Sequence, residues 1–230
     1  MRLMKMKKLL IIFVCLSLLS VPLFAGDVPT FVNLGFSANS AYFMFGYYGI
    51  DASTGKPYSE IFLVDTRKND FVGNGVFRAQ YSVRLEPGWN ALAAFLTLYN
   101  QTAPLVKKYA IDHFAQGRLA FLAIDNASEI INYKDADGTE WQISLVKKTS
   151  QTETSVSSSF SIALAITKNG TVNSYTAGNP GIVRKNVRNY IIRQIIIAPD
   201  NKTIVFIIEK EESGNTGVAT RYMVETYRLP

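Results

Sequence analysis

His113 is the only histidine in the 230 residues, so acid–base chemistry near neutral pH has one natural candidate. As a general base it needs a nucleophile and an orienting carboxylate within reach. Beyond the first 25 residues there is no cysteine, and no serine stands in a strand–turn–helix elbow. A lone histidine late in a helix is better explained by its favourable interaction with the helix dipole. Zinc would require His and Cys ligands that the sequence lacks. Asp135-Ala136-Asp137-Gly138-Thr139-Glu140 sets carboxylates at alternating positions around a turn glycine, as calcium loops do. That pattern stops at Trp141, where a strand begins, so the segment reads as an acidic turn between two strands. Glu60, Asp65, Asp70 and Glu86 are too scattered to pair as hydrolase carboxylates. No Gly-rich phosphate loop or nucleic-acid module is present, and no cofactor is indicated.

Two groups could bind rather than react. Arg184, Lys185, Arg188 and Arg193 fall within ten residues, with Tyr190 among them. They could meet an anionic surface such as lipid headgroups or acidic wall polymer. They could equally be a solvated strand end whose charges discourage edge-to-edge pairing. Tyr42, Tyr47 and Tyr48, with Phe43 and Phe45 beside them, could line a sugar- or peptide-binding face. Alternating strand residues with one face in the core explain that cluster too.

The elements that must position these residues begin after an export leader. Arg2, Lys5, Lys7 and Lys8 precede an apolar run from Leu9 to Phe24, broken by Pro22 shortly before the small residue Ala25. This is the layout of a cleavable secretory signal over residues 1–25, and the run is too short to span a bilayer. Cys15 lies inside the run behind Val14, a poor context for lipidation. Four of the 24 basic and none of the 18 acidic residues fall in the leader, leaving a net charge of +2. Nucleic-acid binding through overall charge is thereby excluded. Residues 26–230 are expected to form a single mostly-β domain with no transmembrane anchor after cleavage. A secreted or periplasmic location follows.

Two stretches of this domain share one pattern. Phe36-Ser37-Ala38-Asn39-Ser40 leads into Ala41-Tyr42-Phe43-Met44-Phe45. Ile197-Ala198-Pro199-Asp200-Asn201 leads into Lys202-Thr203-Ile204-Val205-Phe206. Each runs through turn residues into a strand-forming run, then through a Gly-containing loop to a second strand, Glu60 to Asp65 or Arg221 to Thr226. These segments resemble the start of the TolB-type β-propeller repeat, and Ile61-Phe62-Leu63-Val64-Asp65 resembles its closing strand. The order of elements is similar to a family of predicted secreted bacterial proteins defined only as a domain of unknown function. That resemblance implies no activity.

A complete propeller is not expected, since a closed ring takes at least about four blades of roughly 40–45 residues and a helical central segment leaves too little chain for them. A two-helix insertion is expected instead around residues 90–117. After Pro87-Gly88, Leu92, Phe95, Leu96 and Tyr99 occupy one helical face. Thr102 and Pro104 open a second helix that Gly117 can end. Arg118 to Ile124 reads as a strand, as does the alternation Trp141, Ile143, Leu145. Thr149 to Ser157, rich in Ser and Thr, reads as an exposed loop. Phe160 to Ile166 alternates up to Asn169-Gly170, the strongest hairpin signal in the chain. Ile195 to Ile197 and Val205 to Ile208 read as strands buried on both faces. Asn-x-Ser/Thr sequons begin at Asn100, Asn126, Asn169 and Asn201; turn chemistry explains the last two.

The fold class is therefore mainly β, with antiparallel sheets built from blade-like hairpins around a helical insertion. The function expected is a non-enzymatic binding or interaction module of the cell envelope, its partner an envelope protein or cell-wall component. The alternative is a small-ligand or carbohydrate carrier using the aromatic face, and a hydrolase is the least supported reading.

Overall fold

Runs of β-branched and aromatic residues separated by short turns give fourteen strands in the computed structural model, which describes residues 27–86, 88–124, 128–214 and 217–230. The first sheet holds β1 (Thr30–Ser37), β2 (Tyr42–Ile50), β3 (Pro57–Asp65) and β4 (Asp70–Gln80) in the order β4-β3-β2-β1, closed off by β5 (Ile111–Asp112). Between β4 and β5 lie α1 (Leu92–Tyr99), a 3-10 turn (Asn100–Thr102) and α2 (Ala103–Lys108). Then come β6 (Arg118–Leu122), β7 (Ile130–Lys134), β8 (Glu140–Gln151), β9 (Val156–Lys168) and β10 (Thr171–Ala177). The chain ends with β11 (Arg184–Lys185), β12 (Val187–Ile197), β13 (Thr203–Gly214) and β14 (Gly217–Arg228). The second sheet is ordered β10-β9-β8-β7, with β11 also on β9, and the third β14-β13-β12-β6. All three sheets are antiparallel.

The third sheet is the middle layer. Alternate residues of β13 point to opposite faces: Ile204, Phe206 and Ile208 pack toward the second sheet's Ile143, Phe160 and Ile162. Val205 and Ile207 pack with Ile196 toward the first sheet's Phe36, Phe43 and Phe45. The expected burial on both faces is thus observed, and Ile204 to Ile208 are fully buried. A fourth layer is the helix α1, which lays Phe95 and Leu98 on Met44, Ile61 and Leu63 of the first sheet's far face.

Turn chemistry sets the hairpins. Asn169 and Gly170 have φ of 51° and 76°, the left-handed pair that joins β9 to β10 in register. Before β2 the Asn39 side chain accepts from the backbone N–H of Ala41 at 3.1 Å, and before β13 Asp200 accepts from Thr203 N–H at 2.8 Å. The two like-patterned segments therefore share a local device, a side-chain oxygen reversing the chain.

They do not share a sheet. The β2–β3 hairpin lies in the first sheet and β13–β14 in the third, face to face, with the Asp200 N–H donating to Ser40 Oγ at 3.2 Å between their tips. The resemblance to TolB-type propeller blades is therefore dropped. An Asx-type turn followed by a buried strand is common to both hairpins, and that shared local device produced the likeness.

Three further expectations are corrected. The helical insertion ends at Lys108 and not near Gly117, because Ala110 takes φ of 49° and the next two residues pair with β1. At this crossing Gly35, at φ of 97°, admits the Asp112 carbonyl, which would lie 2.2 Å from any Cβ there. The helix α1 buries Ala94, Phe95 and Leu98 and leaves Leu92 and Leu96 exposed, so its inner face is turned from the one expected. Thr149 to Ser157 is not a loop: β8 and β9 continue through it in register to Gln151 and Val156, with only residues 152–155 turning. Paired backbones there need no apolar side chains, so composition alone misleads. Residues 1–25, Pro87 and Asn126 lie outside the described residues.

Truncating the centre of the middle layer should be costly. Phe206→Ala is expected to lose about 3–5 kcal/mol in chemical denaturation. Phe114→Ala, at a side chain that is 98% exposed, should change stability by no more than about 0.5 kcal/mol.

Candidate functional site

Asp27 joins the first and third sheets through a cluster of polar groups. The Asp27 carbonyl accepts from the Thr220 N–H of β14 at 2.9 Å. Its carboxylate accepts from Tyr58 Oη at 2.7 Å and from Arg221 Nη1 at 2.8 Å, and the guanidinium lies 4.5 Å over the Tyr58 ring. Burial pushes the Asp27 carboxyl above its ordinary value, against the pull of Tyr58 and Arg221. Burial also raises the Tyr58 hydroxyl well above the usual tyrosine range, so it stays a donor. Burial disfavours the charge on Arg221, yet Tyr58 and Asp27 carry it above its ordinary value. The three groups satisfy one another. They make a clasp between layers.

Two clefts open beside the clasp. One, of about 280 Å³, is lined by Asp51, Glu60, Arg78 and Arg221, with Arg78 Nε donating to Glu60 at 2.6 Å. The other, of about 350 Å³, runs between Tyr48 and Trp89 over Asp27, Thr30 and Asn90. Trp89 is 62% exposed, and Leu92 and Leu96 follow it along the outer side of α1 at 42% and 52%. Sequence reasoning passed over Trp89. Its only signal was a large aromatic residue just beyond the Pro87-Gly88 breaker.

The aromatic candidates part company. Tyr47 is buried with Phe45 and Phe62 between the first and third sheets. Tyr42 and Tyr48 lie on the sheet's other face, Tyr42 edge-on to Tyr109 at 4.6 Å and Tyr48 against Phe95 at 5.5 Å. Of the three, Tyr48 alone lines the cleft with Trp89.

The basic candidates are also divided. Arg184 stacks 5.3 Å over Phe160 and stands 3.9 Å from Glu225. Arg193 donates to Glu209, a carboxylate only 5% exposed. Lys185 and Arg188 are exposed. Two of the four charges are thus committed to carboxylates of the third sheet.

His113 sits just past β5. Its Nδ1 meets the Leu34 carbonyl at 2.6 Å and its Nε2 the Tyr99 hydroxyl at 2.5 Å, so the ring ties the end of α1 to β1. The Asp135–Thr139 segment is a tight turn closed by Asp135 N–H to the Thr139 carbonyl at 2.8 Å. Among the described residues no group of three or more His, Cys, Asp or Glu side chains stands where it could hold a metal ion.

The family model described as Predicted secreted protein (DUF2259) matches residues 44–228. The chain belongs to this family. It is a secreted protein, and among the described residues no helix is long and apolar enough to cross a membrane. No curated protein matches the chain. The DUF2259 match takes in β3, α1, all of the third sheet and the cleft lined by Asp51, Glu60, Arg78 and Arg221, while Asp27 and β1, which supply part of the other cleft, precede it.

One buried carboxylate gives a signed pH test. Glu225 is 4% exposed, accepts from the Asn69 amide and faces Arg184. Burial pushes its pKa above the ordinary 4.5, against Asn69 and Arg184. A carboxyl raised on folding contributes stability at acid pH that is lost as pH rises through the raised value. Glu225→Gln should therefore gain melting temperature relative to the parent as pH rises from about 4 to about 8. A pH-independent difference between the two would contradict the assignment.

Proposed function

We propose that this DUF2259 protein is a non-enzymatic binding module of the cell envelope. It meets an envelope protein or cell-wall component through Trp89, Leu92 and Leu96. The observation that carries this reading is the exposure of a tryptophan that lines an open cleft and of two leucines on the helix that follows it. Large apolar side chains in one exposed patch mark interaction surfaces, and tryptophan is the residue most enriched at their energetic centres. Binding is favoured over catalysis at the clasp, because Asp27, Tyr58 and Arg221 are hydrogen-bonded to one another.

A second reading rests on the cleft itself. Tyr48 and Trp89 offer ring faces while Asp27, Thr30 and Asn90 offer polar groups, the mixture that holds a small ligand or sugar. In this reading the protein is a carrier, and the aromatic face has moved from the Tyr42–Tyr48 strand to the Tyr48–Trp89 pair.

Affinity capture from envelope extract, comparing the parent with the Trp89→Ser/Leu96→Ser double variant, tests the first reading. The parent should retain a partner that the variant loses by at least about tenfold, as removal of a central aromatic anchor does. Equal recovery by both proteins would refute it. Melting curves of the variant should match the parent, since these side chains lie outside the core.

A further inference from the structure

The two helices make the outermost layer of the stack. α1 buries Ala94, Phe95 and Leu98 on the first sheet's far face, and α2 packs Leu105 and Val106 against the same cluster. Their other sides therefore face outward together. A helix so placed normally turns charged residues to water. This layer does not: from Trp89 to Val106 the sequence has no charged residue. The outward stripe of α1 is Leu92, Ala93, Leu96 and Thr97, all exposed. The Thr97 hydroxyl donates to the Ala93 carbonyl one turn back at 2.8 Å, so no side chain of the stripe has a free donor. Helices apolar on every side belong where both sides are covered, and here the sheet covers one.

Charge returns unevenly at the two ends of this stretch. Glu86 precedes Trp89, whereas Lys107 and Lys108 close α2 with both side chains exposed. Lys108 Nζ stands 5.1 Å from the Tyr109 ring centroid, and neither lysine meets a carboxylate among the described residues. What fits this face must accept bare hydrocarbon, ask for no directed bond and supply negative charge at one end. A protein interface carries about one hydrogen bond per 100–200 Å², and the leucine stripe has no free donor for one. Lipid chains require none. An eight-residue helix is too short to cross a bilayer. Leucines outward, with tryptophan at one end and lysines at the other, suit a helix lying in its surface.

We propose that the outer face of α1 and α2 docks on an anionic phospholipid surface. Leu92 and Leu96 enter the edge of the acyl chains, Trp89 lies at headgroup level, and Lys107 and Lys108 meet the phosphates. Nothing has to open for docking, since each of these side chains already stands outside the core. The inference rests on the reading of Trp89, Leu92 and Leu96 as an interaction surface, and sets the meeting with an envelope component at the lipid–water boundary.

The exported protein is sedimented with phosphatidylcholine vesicles that contain or lack phosphatidylglycerol. It should bind the anionic vesicles more tightly, and added salt should narrow the difference. Lys107→Ala/Lys108→Ala should bind them about tenfold to thirtyfold more weakly, because each lysine near such a surface contributes roughly fivefold. Leu92→Ser/Leu96→Ser should lose at least about tenfold while melting as the parent does. The chain has two tryptophans, and Trp141 is buried. Emission should therefore move to shorter wavelength on anionic vesicles through Trp89, and Trp89→Phe should abolish the shift. No sedimentation with anionic vesicles overturns the inference. So does full binding by the leucine variant or unmoved emission, either of which shows adhesion through the lysines alone. A partner captured from envelope extract, with no binding to protein-free vesicles, keeps the protein or wall partner and overturns the lipid. Vesicle binding with no captured partner does the reverse.

Discussion

Everything in this molecule depends on covering both faces of the third sheet. From Ile204 to Ile208 every side chain is fully buried, with successive residues pointing to opposite sides. A strand of this kind gains from burial only when two separate layers are present, because each apolar square ångström left wet forfeits roughly 25 cal/mol. The first and second sheets are those layers. The first has a second apolar face of its own, carrying Met44, Ile61 and Leu63, and α1 lies over it. The outer face of the second presents Asn132, Gln142 and Thr176 to water, with Ile130, Val146 and Val172 exposed among them. The stack therefore ends on one side with a helix and on the other with an exposed sheet face of mixed polarity.

Stacked open sheets leave ends where the layers part, and the polar chemistry collects there. One such join is the clasp of Asp27, Tyr58 and Arg221. Another is the contact of Asn69 with Thr226, which ties the turn before β4 to the outer strand of the middle sheet at 2.8 Å. These contacts hold layer to layer with directed bonds, where apolar packing alone would allow sliding. They also occupy the edge of β14, whose Thr220 and Thr226 N–H groups are taken by Asp27 and Asn69. An edge strand so engaged offers less to an adventitious partner.

Much of this fold was legible in the sequence, and the legible parts share a cause. Trp141-x-Ile143-x-Leu145 and Phe160 to Ile166 alternate because one face is buried, and both are strands facing the core. Asn169-Gly170 forms its hairpin because two successive left-handed residues are needed there. The parts missed share another cause. The inner face of α1 is Ala94, Phe95 and Leu98, and small alanines at a close helix–sheet contact carry no hydrophobic signal to outweigh Leu92 and Leu96. The β8–β9 ends are strands made of Ser, Thr and Lys, held by backbone pairing that side-chain type does not report. The third sheet recruits β6 from far upstream, a pairing that no local pattern encodes.

The sites were harder to read because their residues meet only through the stacking. Asp27 and Arg221 stand 194 positions apart, and the clasp exists only once β14 and β3 face each other. Arg184 and Arg193 looked like one basic patch along the chain, but each meets a carboxylate of the middle sheet, and the patch dissolves. Trp141 shows the limit most sharply. Alternation correctly placed it inside, as it would have placed a phenylalanine. A buried indole differs from a buried phenyl by one donor, and Trp141 Nε1 meets no acceptor among the described residues. Whether a buried donor finds an acceptor is therefore not written in any single segment, because the acceptors come from strands and turns far apart in the chain.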